Sequence, residues 1–302
     1  IRKWCDYSSK RWYLSKMDAP KKISQDDLRK ALNEVIYPED EVIVIYSGIW
    51  SFGYRLNCSI PEIPDMILDT IEEVVGDDRT LLMPSFTSRE FTKTKKFDIV
   101  RSSRTESGIV SDTAIKRKNY CRTPHPLHSF VIKGPKANNL LKAPIKTSWG
   151  SESVLAWIAK NNARICPMGL PWNKACSYFH RMEEVLQVPF RYYKRFSGTL
   201  YEDGKEIGPC QEVKYSYPLT IPFKYDYSVV IPELRKMNAI RSCLNPLIQL
   251  ESAVASDIDK ACHKVLQADP YAIVINKVEV EDWVTNGKED EINNLSENQR
   301  YH

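Results

Sequence analysis

A buried run of β-branched residues constrains the fold of this chain more than any other feature. Residues 41–46 read EVIVIY, and a strand that is apolar on both faces is typical of a sheet covered on both sides by helices. Apolar runs at 80–83 and 163–168 also end in small or turn-forming residues, and segments with helical periodicity lie between the runs. This succession of strand, loop and helix predicts an α/β fold whose strand ends form a ligand cleft.

Capping residues mark two helices in the first third of the chain. A start signal at Ser24 opens a helix over 23–35, and a second helix over 63–75 closes on Gly76. The stretch 89–104 is polar, basic and without clear periodicity. We therefore expect a long loop there that covers a ligand.

The last third of the chain has a different character. Asp203-Gly204 lies between two runs of aromatic and aliphatic residues, which predicts a hairpin and thus a small antiparallel appendage. A helix over 252–266 and a last strand over 271–275 should follow. The polar, acidic residues from Asn286 onwards are expected to fray.

Length and composition exclude several classes of protein. The 302 residues are 42% hydrophobic and 27% charged, as in ordinary globular proteins, and no apolar run is long enough to span a membrane. The net charge of +4, from 43 basic and 39 acidic residues, is too small to indicate nucleic acid as a partner. Eight cysteines without metal-ligand spacing predict reduced thiols, a cytoplasmic location and no bound metal.

The sequence suggests three parts. Residues 1–22 form an arm of unknown role, 23–285 a main domain, and 286–302 a polar tail. The sequence given begins at Ile1 without the apolar segment of a secretory signal, so we expect none.

The best candidate for a catalytic base follows the third predicted strand. In a helix, Cys176 and Ser177 would lie one turn before His180, and Glu183 one turn after it, so a hydroxyl, an imidazole and a carboxylate would share a face. On spacing alone the ordinary interpretation is stronger: a histidine at a helix start, with Glu183 and Glu184 on a solvated face.

Three further turns carry polar groups that suit a ligand. Residues 84–87, PSFT, end the second predicted strand, and 105–108, TESG, open a helix whose N-terminal amides can bind a phosphate. His125 lies between two prolines, which stiffen a turn. Each of these signals is weak when taken singly.

Taken together, the order and spacing of these motifs resemble the aminoglycoside 3-N-acetyltransferase family and its relatives that acylate amino sugars. The matching segments are YSGIWSFG at 46–53, PSFT at 84–87, FD at 97–98 with TESG at 105–108, RTPHPLHS at 122–129, and SYFHRME at 177–183. The chain departs from the family pattern at Tyr46, where histidine is common, at Ser177, where threonine is common, and at Cys176, where asparagine is frequent.

The resemblance implies an acyl-CoA-dependent N-acyltransferase on a three-layer αβα sandwich around a mixed sheet, occupying 23–285. It implies His180 as the general base, which would take a proton from an amine near the operating pH, and Glu183 as an orienting carboxylate. Acetyl-CoA or another acyl-CoA would be the cosubstrate, without a metal. The residues implied in binding it are Ser47, Gly48, Ser51, Gly53, Thr87, Ser107, Gly108, His125 and Ser129.

Three alternatives remain open on the sequence. The acceptor is either a nucleotide-linked amino sugar for surface polysaccharide, which an aromatic-rich and charge-balanced chain favours, or an aminoglycoside, which as a polycation favours an acidic pocket. Cys176 could instead be acylated in a ping-pong cycle with His180. The chain could also be a non-catalytic binding module, although the joint presence of His180, Glu183 and His125 argues against this.

Overall fold

The computed structural model describes residues 22–102, 106–175 and 177–301. The predicted arm at 1–22 lies outside the described residues except for Lys22, and so do Thr105 and Cys176.

Ten strands and twelve α-helices make up the described chain. Strands β1 to β10 span Val42–Ser47, Thr80–Pro84, Lys96–Asp98, Cys121–Arg122, Phe130–Lys133, Arg164–Met168, Tyr192–Glu202, Lys205–Ser216, Arg241–Ser242 and Glu251–Val254. The α-helices span Gln25–Val35, Ile63–Val75, Ser88–Thr94, Ile109–Ala114, Ala137–Leu141, Val154–Lys160, Trp172–Ala175, Phe179–Val185, Ile231–Lys236, Ala255–Ala268, Lys277–Asn286 and Lys288–Asn293. Short 3-10 helices occupy Ile49–Ser51, Gly53–Arg55, Ile60–Glu62 and Tyr227–Val230.

Seven strands form a mixed central sheet in the order β4-β5-β2-β1-β6-β10-β9. β1 pairs in parallel with both β2 and β6, and antiparallel strands complete the two sides. Along β1, Val44 and Tyr46 pack into one hydrophobic core, whereas Ile43 and Ile45 pack into a second core on the opposite face. Helices cover both faces, so the predicted three-layer αβα sandwich is confirmed.

Local sequence signals explain the element ends. The Ser24 hydroxyl accepts a hydrogen bond from the Asp27 N–H at 3.0 Å, and Asp27 bonds back to the Ser24 N–H, which completes a capping box. Gly76 ends the second helix with a φ of 73°, a conformation that glycine adopts without strain. The predicted hairpin at Asp203-Gly204 is confirmed, since it joins β7 to β8.

β3, β7 and β8 form a separate three-stranded sheet, the predicted small appendage. The expectation of a long loop over 89–104 is wrong for its described part, which contains the helix Ser88–Thr94 and strand β3. The reason is hydrophobic burial: Phe91 and Phe97, two aromatic residues in a polar stretch, pack with Leu127 in a core of their own.

Two C-terminal predictions are also wrong. Residues 271–275 form turns with one isolated bridge, Tyr225 to Val274, instead of a strand. The segment from Asn286 does not fray, because the helix Lys288–Asn293 buries Glu291, whose carboxylate accepts a hydrogen bond from the Tyr192 hydroxyl at 2.7 Å. The boundary between 285 and 286 stays a prediction. None of the described helices is both long and apolar enough to cross a membrane.

Candidate active site

The carboxyl ends of three parallel strands create the candidate site. β2, β1 and β6 end at Pro84, Ser47 and Met168, and the Gly48 N–H donates to the Met168 carbonyl at 2.8 Å, which joins two of these ends. A cavity of about 410 Å³ opens at this edge, as expected for an α/β sheet. Its described lining consists of Tyr46, Ser47, Gly48, Trp50, Pro84, Phe86, Glu106, Ser107, Gly108, Leu170, Asn173, Ser177, His180, Tyr225 and Tyr227.

His180 enters this cavity from the first turn of the helix Phe179–Val185. Its side chain is 13% exposed, and its Nδ1 lies 3.0 Å from Oε1 of the fully buried Glu183. The i, i+3 spacing thus brings the imidazole and the carboxylate together, as the sequence predicted. Glu183 does not lie on a solvated face, so the ordinary interpretation of this spacing is wrong.

A buried arginine holds Glu183 in place. The Arg191 Nε donates to Glu183 Oε2, its Nη1 donates to the Tyr215 carbonyl, and its guanidinium carbon lies 3.6 Å from the ring centre of Tyr217. The Tyr227 hydroxyl donates to the other oxygen of Glu183. Because both oxygens of the carboxylate are bonded, its orientation behind His180 is fixed.

Four polar groups crowd Nδ1 of His180, which has room for one hydrogen-bond partner. Glu183 Oε1 lies at 3.0 Å, Arg191 Nη2 at 2.9 Å, and the hydroxyls of Tyr217 and Tyr227 at 2.9 and 2.6 Å. We assign a proton to Nδ1 that is donated to Glu183, because a carboxylate is the only group of the four that must accept. This tautomer leaves Nε2 as an unprotonated acceptor.

Burial and the neighbouring charges set the protonation states. Burial lowers the pKa of His180 to about 4, and Glu183 offsets part of this shift. Burial raises the pKa of Glu183, but the opposing effects of Arg191 and His180 are larger, so that pKa lies below its ordinary value. At neutral pH the imidazole is therefore neutral and Glu183 is charged.

The low pKa of His180 differs from the sequence-based expectation of a base that titrates near the operating pH. The physical cause is desolvation of the imidazolium. A base this weak does not deprotonate a free ammonium group efficiently. It can accept the proton that an amine nitrogen loses once its bond to a carbonyl carbon is forming, because that proton is far more acidic.

Five of the predicted coenzyme-binding residues line cavities. Ser47, Gly48 and Gly108 line both the catalytic cavity and an adjoining apolar cavity of about 550 Å³, Ser107 lines the former, and Gly53 lines the latter.

Gly108 has a backbone conformation that the site requires. Its φ is +94°, and an added Cβ would lie 3.3 Å from the Ser47 carbonyl oxygen. Only glycine fits this junction of the two cavities without strain.

The other four predicted residues do not line either cavity. The Ser51 hydroxyl donates to the Gly169 carbonyl at 3.0 Å, and the buried Thr87 hydroxyl donates to the Pro126 carbonyl at 2.8 Å. The buried Ser129 hydroxyl accepts from Arg122 Nε at 2.9 Å. These three hydroxyls support loops around the site.

His125, the fourth, belongs to a buried polar cluster. Potential ligand atoms of His125, His128 and Glu212 lie within 4.8 Å of one another, which is a spacing that could hold a metal ion. Each of the three residues already has a hydrogen-bond partner. His125 Nδ1 accepts from the His128 N–H at 2.9 Å, Glu212 Oε2 accepts from the Leu127 N–H at 3.1 Å, and His128 Nδ1 lies 3.0 Å from the Ser148 hydroxyl. Burial also raises the pKa of Glu212, which favours its neutral form. We therefore interpret the cluster as a hydrogen-bonded network.

Comparison with known proteins identifies the family. The family model described as aminoglycoside 3-N-acetyltransferase matches residues 55–235. The chain belongs to the aminoglycoside 3-N-acetyltransferase family. The match covers more than half of the chain, so it confirms the family that the sequence motifs indicated. No curated protein sequence matched the chain.

Several solved structures share the fold. The apoenzyme of aminoglycoside acetyltransferase AAC(3)-IVa is 19% identical over 85% of this chain and 93% of its own, with a TM-score of 0.66. Aminoglycoside acetyltransferase AAC(3)-IIb is 14% identical over 82% and 98%, with a TM-score of 0.68. The YokD protein from Bacillus subtilis is 14% identical over 85% and 97%, with a TM-score of 0.66.

The family match confirms the predicted class of enzyme, an acyl-CoA-dependent N-acyltransferase. For the acceptor, the comparisons favour the aminoglycoside alternative over the nucleotide-linked amino sugar.

Sequence reasoning missed Arg191, Tyr217 and Tyr227. Arg191 is one of 43 basic residues, in an aromatic run that predicts only a strand, and nothing local marks it as buried. The one available signal was a cationic residue among apolar ones. If such a residue is buried, its guanidinium requires a buried anionic partner.

Proposed function

We propose that the protein transfers the acetyl group of acetyl-CoA directly to an amine of an aminoglycoside, with His180 as general base. The proposal rests on one observation. Hydrogen bonds connect Arg191 to Glu183 and Glu183 to His180, and the His180 side chain lines the catalytic cavity. In this role Nε2 accepts the proton of the amine nitrogen as the carbon–nitrogen bond forms. Glu183 then stabilises the imidazolium that results. As the carbon–sulfur bond of the thioester breaks, the imidazolium gives this proton to the leaving sulfur, and CoA departs as the thiol.

The adjoining apolar cavity suits the coenzyme. It meets the catalytic cavity at Ser47, Gly48 and Gly108, so a thioester held there would reach the acceptor amine. The pantetheine arm of acetyl-CoA is long and largely uncharged, and the lining residues Ile60 and Ile63 give it an apolar surface. Ser51, Thr87, His125 and Ser129 would act by supporting these loops.

A groove next to the catalytic cavity gives the acceptor further room. This groove of about 1020 Å³ shares Asn173 with the catalytic cavity, so rings of the acceptor beyond the reacting one can extend into it. AAC-VIa has been solved with sisomicin bound, and a mutant of AAC(3)-IVa has been solved in complex with a gentamicin, which supports an acceptor of this class.

A nucleotide-linked amino sugar is the second candidate. It is favoured by one observation: among the described lining residues of the catalytic cavity, Glu106 is the only carboxylate, while Tyr46, Trp50, Phe86 and Tyr225 are aromatic. An aromatic wall suits a nucleotide base.

The experiment is an initial-rate study of CoA release from acetyl-CoA with sisomicin, gentamicin and a panel of nucleotide-linked amino sugars. The proposal predicts turnover with an aminoglycoside and intersecting double-reciprocal lines, because both substrates occupy the cavities together. Turnover with nucleotide sugars alone would establish the second candidate.

The same study decides the role of Cys176. Parallel lines, together with an acylated Cys176 after incubation with acetyl-CoA alone, would establish the ping-pong alternative. We expect Cys176→Ala to remain active. A cytoplasmic location stays a prediction.

A further inference from the structure

A ladder of stacked aromatic rings ends at the wall of the catalytic cavity. Phe190 stacks on Phe223 at 5.4 Å between ring centres, Phe223 on Tyr217 at 4.2 Å, and Tyr217 on Tyr225 at 5.3 Å with 24° between the ring planes. Tyr225 is 39% exposed and lines the cavity. Tyr217 covers one face of Tyr225, and the rings of His180 and Tyr227 contact it in T-shaped geometry at 5.8 and 5.4 Å. The exposed remainder of the ring is what it offers to a ligand.

Backbone pairing fixes this last ring. Tyr225 bridges to Val274, and the residues on either side of it are bonded as well: the Asp226 N–H donates to the Ile273 carbonyl at 2.8 Å, and the Ile275 N–H donates to the Lys224 carbonyl at 2.9 Å. The ring is therefore held in place before any ligand binds, which lowers the entropic cost of binding.

Trp50 supplies a second aromatic surface to the same cavity. It is 90% exposed, in the 3-10 helix that follows β1, and it lines the catalytic cavity as well as the apolar one. An exposed tryptophan at the junction of two cavities costs solvation free energy unless a ligand covers it.

The catalytic cavity offers few carboxylates that could pair with the ammonium groups of a cationic acceptor. Glu106 is the only carboxylate in its described lining, and one of its oxygens already accepts the Arg89 N–H at 2.8 Å. A polycationic acceptor has several ammonium groups besides the one that reacts. The electron-rich faces of tryptophan and tyrosine attract such groups in the absence of carboxylates.

We propose that Tyr225 and Trp50 bind a non-reacting ammonium group of the acceptor through their ring faces. This inference rests on the proposed function for the identity of the acceptor, and it specifies how the site recognises a cation with so few carboxylates. The rings would take the place of acidic side chains in the pocket.

The test is calorimetric binding of sisomicin to the wild-type protein and its variants in the presence of CoA, which has no acetyl group to transfer. Tyr225→Leu should weaken sisomicin binding by about 3- to 30-fold, and Trp50→Leu by a similar factor. Tyr225→Phe keeps a ring face and should bind within about threefold of the wild type. The KM for acetyl-CoA should not change in either Tyr225 variant.

Tyr301→Leu is the matched control. Tyr301 is also a part-exposed tyrosine, 48% exposed, that packs on a neighbouring tyrosine ring, Tyr193 at 5.4 Å, but it lines neither cavity. This variant should bind sisomicin like the wild type. A folded Tyr225→Leu protein with unchanged affinity would overturn the inference.

The proposed function and the inference fail separately. If the wild-type protein binds sisomicin without acetylating it, the proposed acceptor is wrong, and Tyr225→Leu still decides the inference. If the wild-type protein binds neither sisomicin nor the simple probe tetramethylammonium, the inference is wrong, while acetyl transfer to another amine would keep the enzyme class.

Discussion

The buried pair of Glu183 and Arg191 gives the most demanding prediction, because it links stability to catalysis. Both side chains are fully buried and bonded to each other. Arg191→Met preserves most of the side-chain volume but leaves a carboxylate in the protein interior without its cation. Removing one partner of such a pair costs about 3–5 kcal/mol, a large part of the about 5–15 kcal/mol by which a folded protein is stable.

The same change should impair catalysis. Without Arg191, the effect of burial is opposed less strongly and the pKa of Glu183 rises, so a larger fraction of the carboxyl groups is protonated at a given pH. A neutral Glu183 no longer holds the proton on Nδ1 of His180, and kcat should fall by at least about tenfold. The double variant Glu183→Gln/Arg191→Met has no buried charge at this point. Its loss of stability should be smaller than the sum of the two single losses by about 2–3 kcal/mol, with kcat still low.

The assay combines urea unfolding at pH 7 with the rate of CoA release. The exposed pair of Arg29 and Glu73, 2.7 Å apart with side chains 37% and 46% exposed, supplies the control, since Arg29→Met should leave the midpoint of urea unfolding close to that of the wild type. Additive losses in the double variant, or wild-type kcat in Arg191→Met, would refute the coupling between the ion pair and His180.

Three further predictions concern pH and the coenzyme. Burial raises the pKa of Glu212, so the folded protein binds this proton more tightly than the unfolded chain does. The resulting stabilisation is complete below pH 4.5 and is lost as the pH rises through the pKa of the folded state. Glu212→Gln has no carboxyl group to titrate and should not lose stability in this way. Relative to the wild type, the unfolding free energy of Glu212→Gln should therefore rise between about pH 5 and 8. The total rise should be about 1.4 kcal/mol for each unit by which folding raises the pKa of Glu212. A difference between the two proteins that does not change with pH would contradict this prediction. Because burial lowers the pKa of His180 to about 4, the acid limb of kcat/KM should follow the amine pKa of the acceptor and move when the acceptor is changed, whereas a fixed inflection near about pH 6.5 would be inconsistent. Gly108→Ala should raise the KM for acetyl-CoA about tenfold because its Cβ crowds Ser47, whereas Gly208→Ala, at another positive φ but in open space, should leave that KM unchanged.

Local sequence signals were sufficient for the elements that carry the site. The apolar run at 41–46 encodes a strand buried on both faces, and a start signal and Gly76 set the bounds of two helices, because each of these signals acts within one turn or one strand. The pairing of His180 with Glu183 was predictable for the same reason, since residues three apart on a helix are neighbours.

Long-range contacts account for what the sequence did not show. Arg191 reaches Glu183 after the chain leaves the helix, and Tyr217 and Tyr227 lie 37 and 47 positions from His180. No pattern within a window of residues encodes such an approach. The low pKa of His180 follows from this enclosure and was therefore also beyond the sequence.

Burial explains the wrong assignments as well. Phe91 and Phe97 occur singly in a polar stretch, and only the appendage sheet gives them a core to join. Glu291 stabilises the C-terminal helix through bonds to Tyr192 and to the Trp283 Nε1–H at 3.0 Å, which lie 99 and 8 positions away. Composition alone predicted an exposed tail, because composition does not show which distant side chains a residue such as Glu291 bonds to in the fold.

The most direct test of the central claim is the turnover number of His180→Ala with acetyl-CoA and an acceptor that the wild-type protein acetylates. The side chain lines a cavity and does not fill the core, so the variant should fold, with a cooperative melting transition close to that of the wild type. If Nε2 accepts the amine proton, kcat should fall by about 10²- to 10⁴-fold. A folded His180→Ala protein that turns over at the wild-type rate would contradict the account.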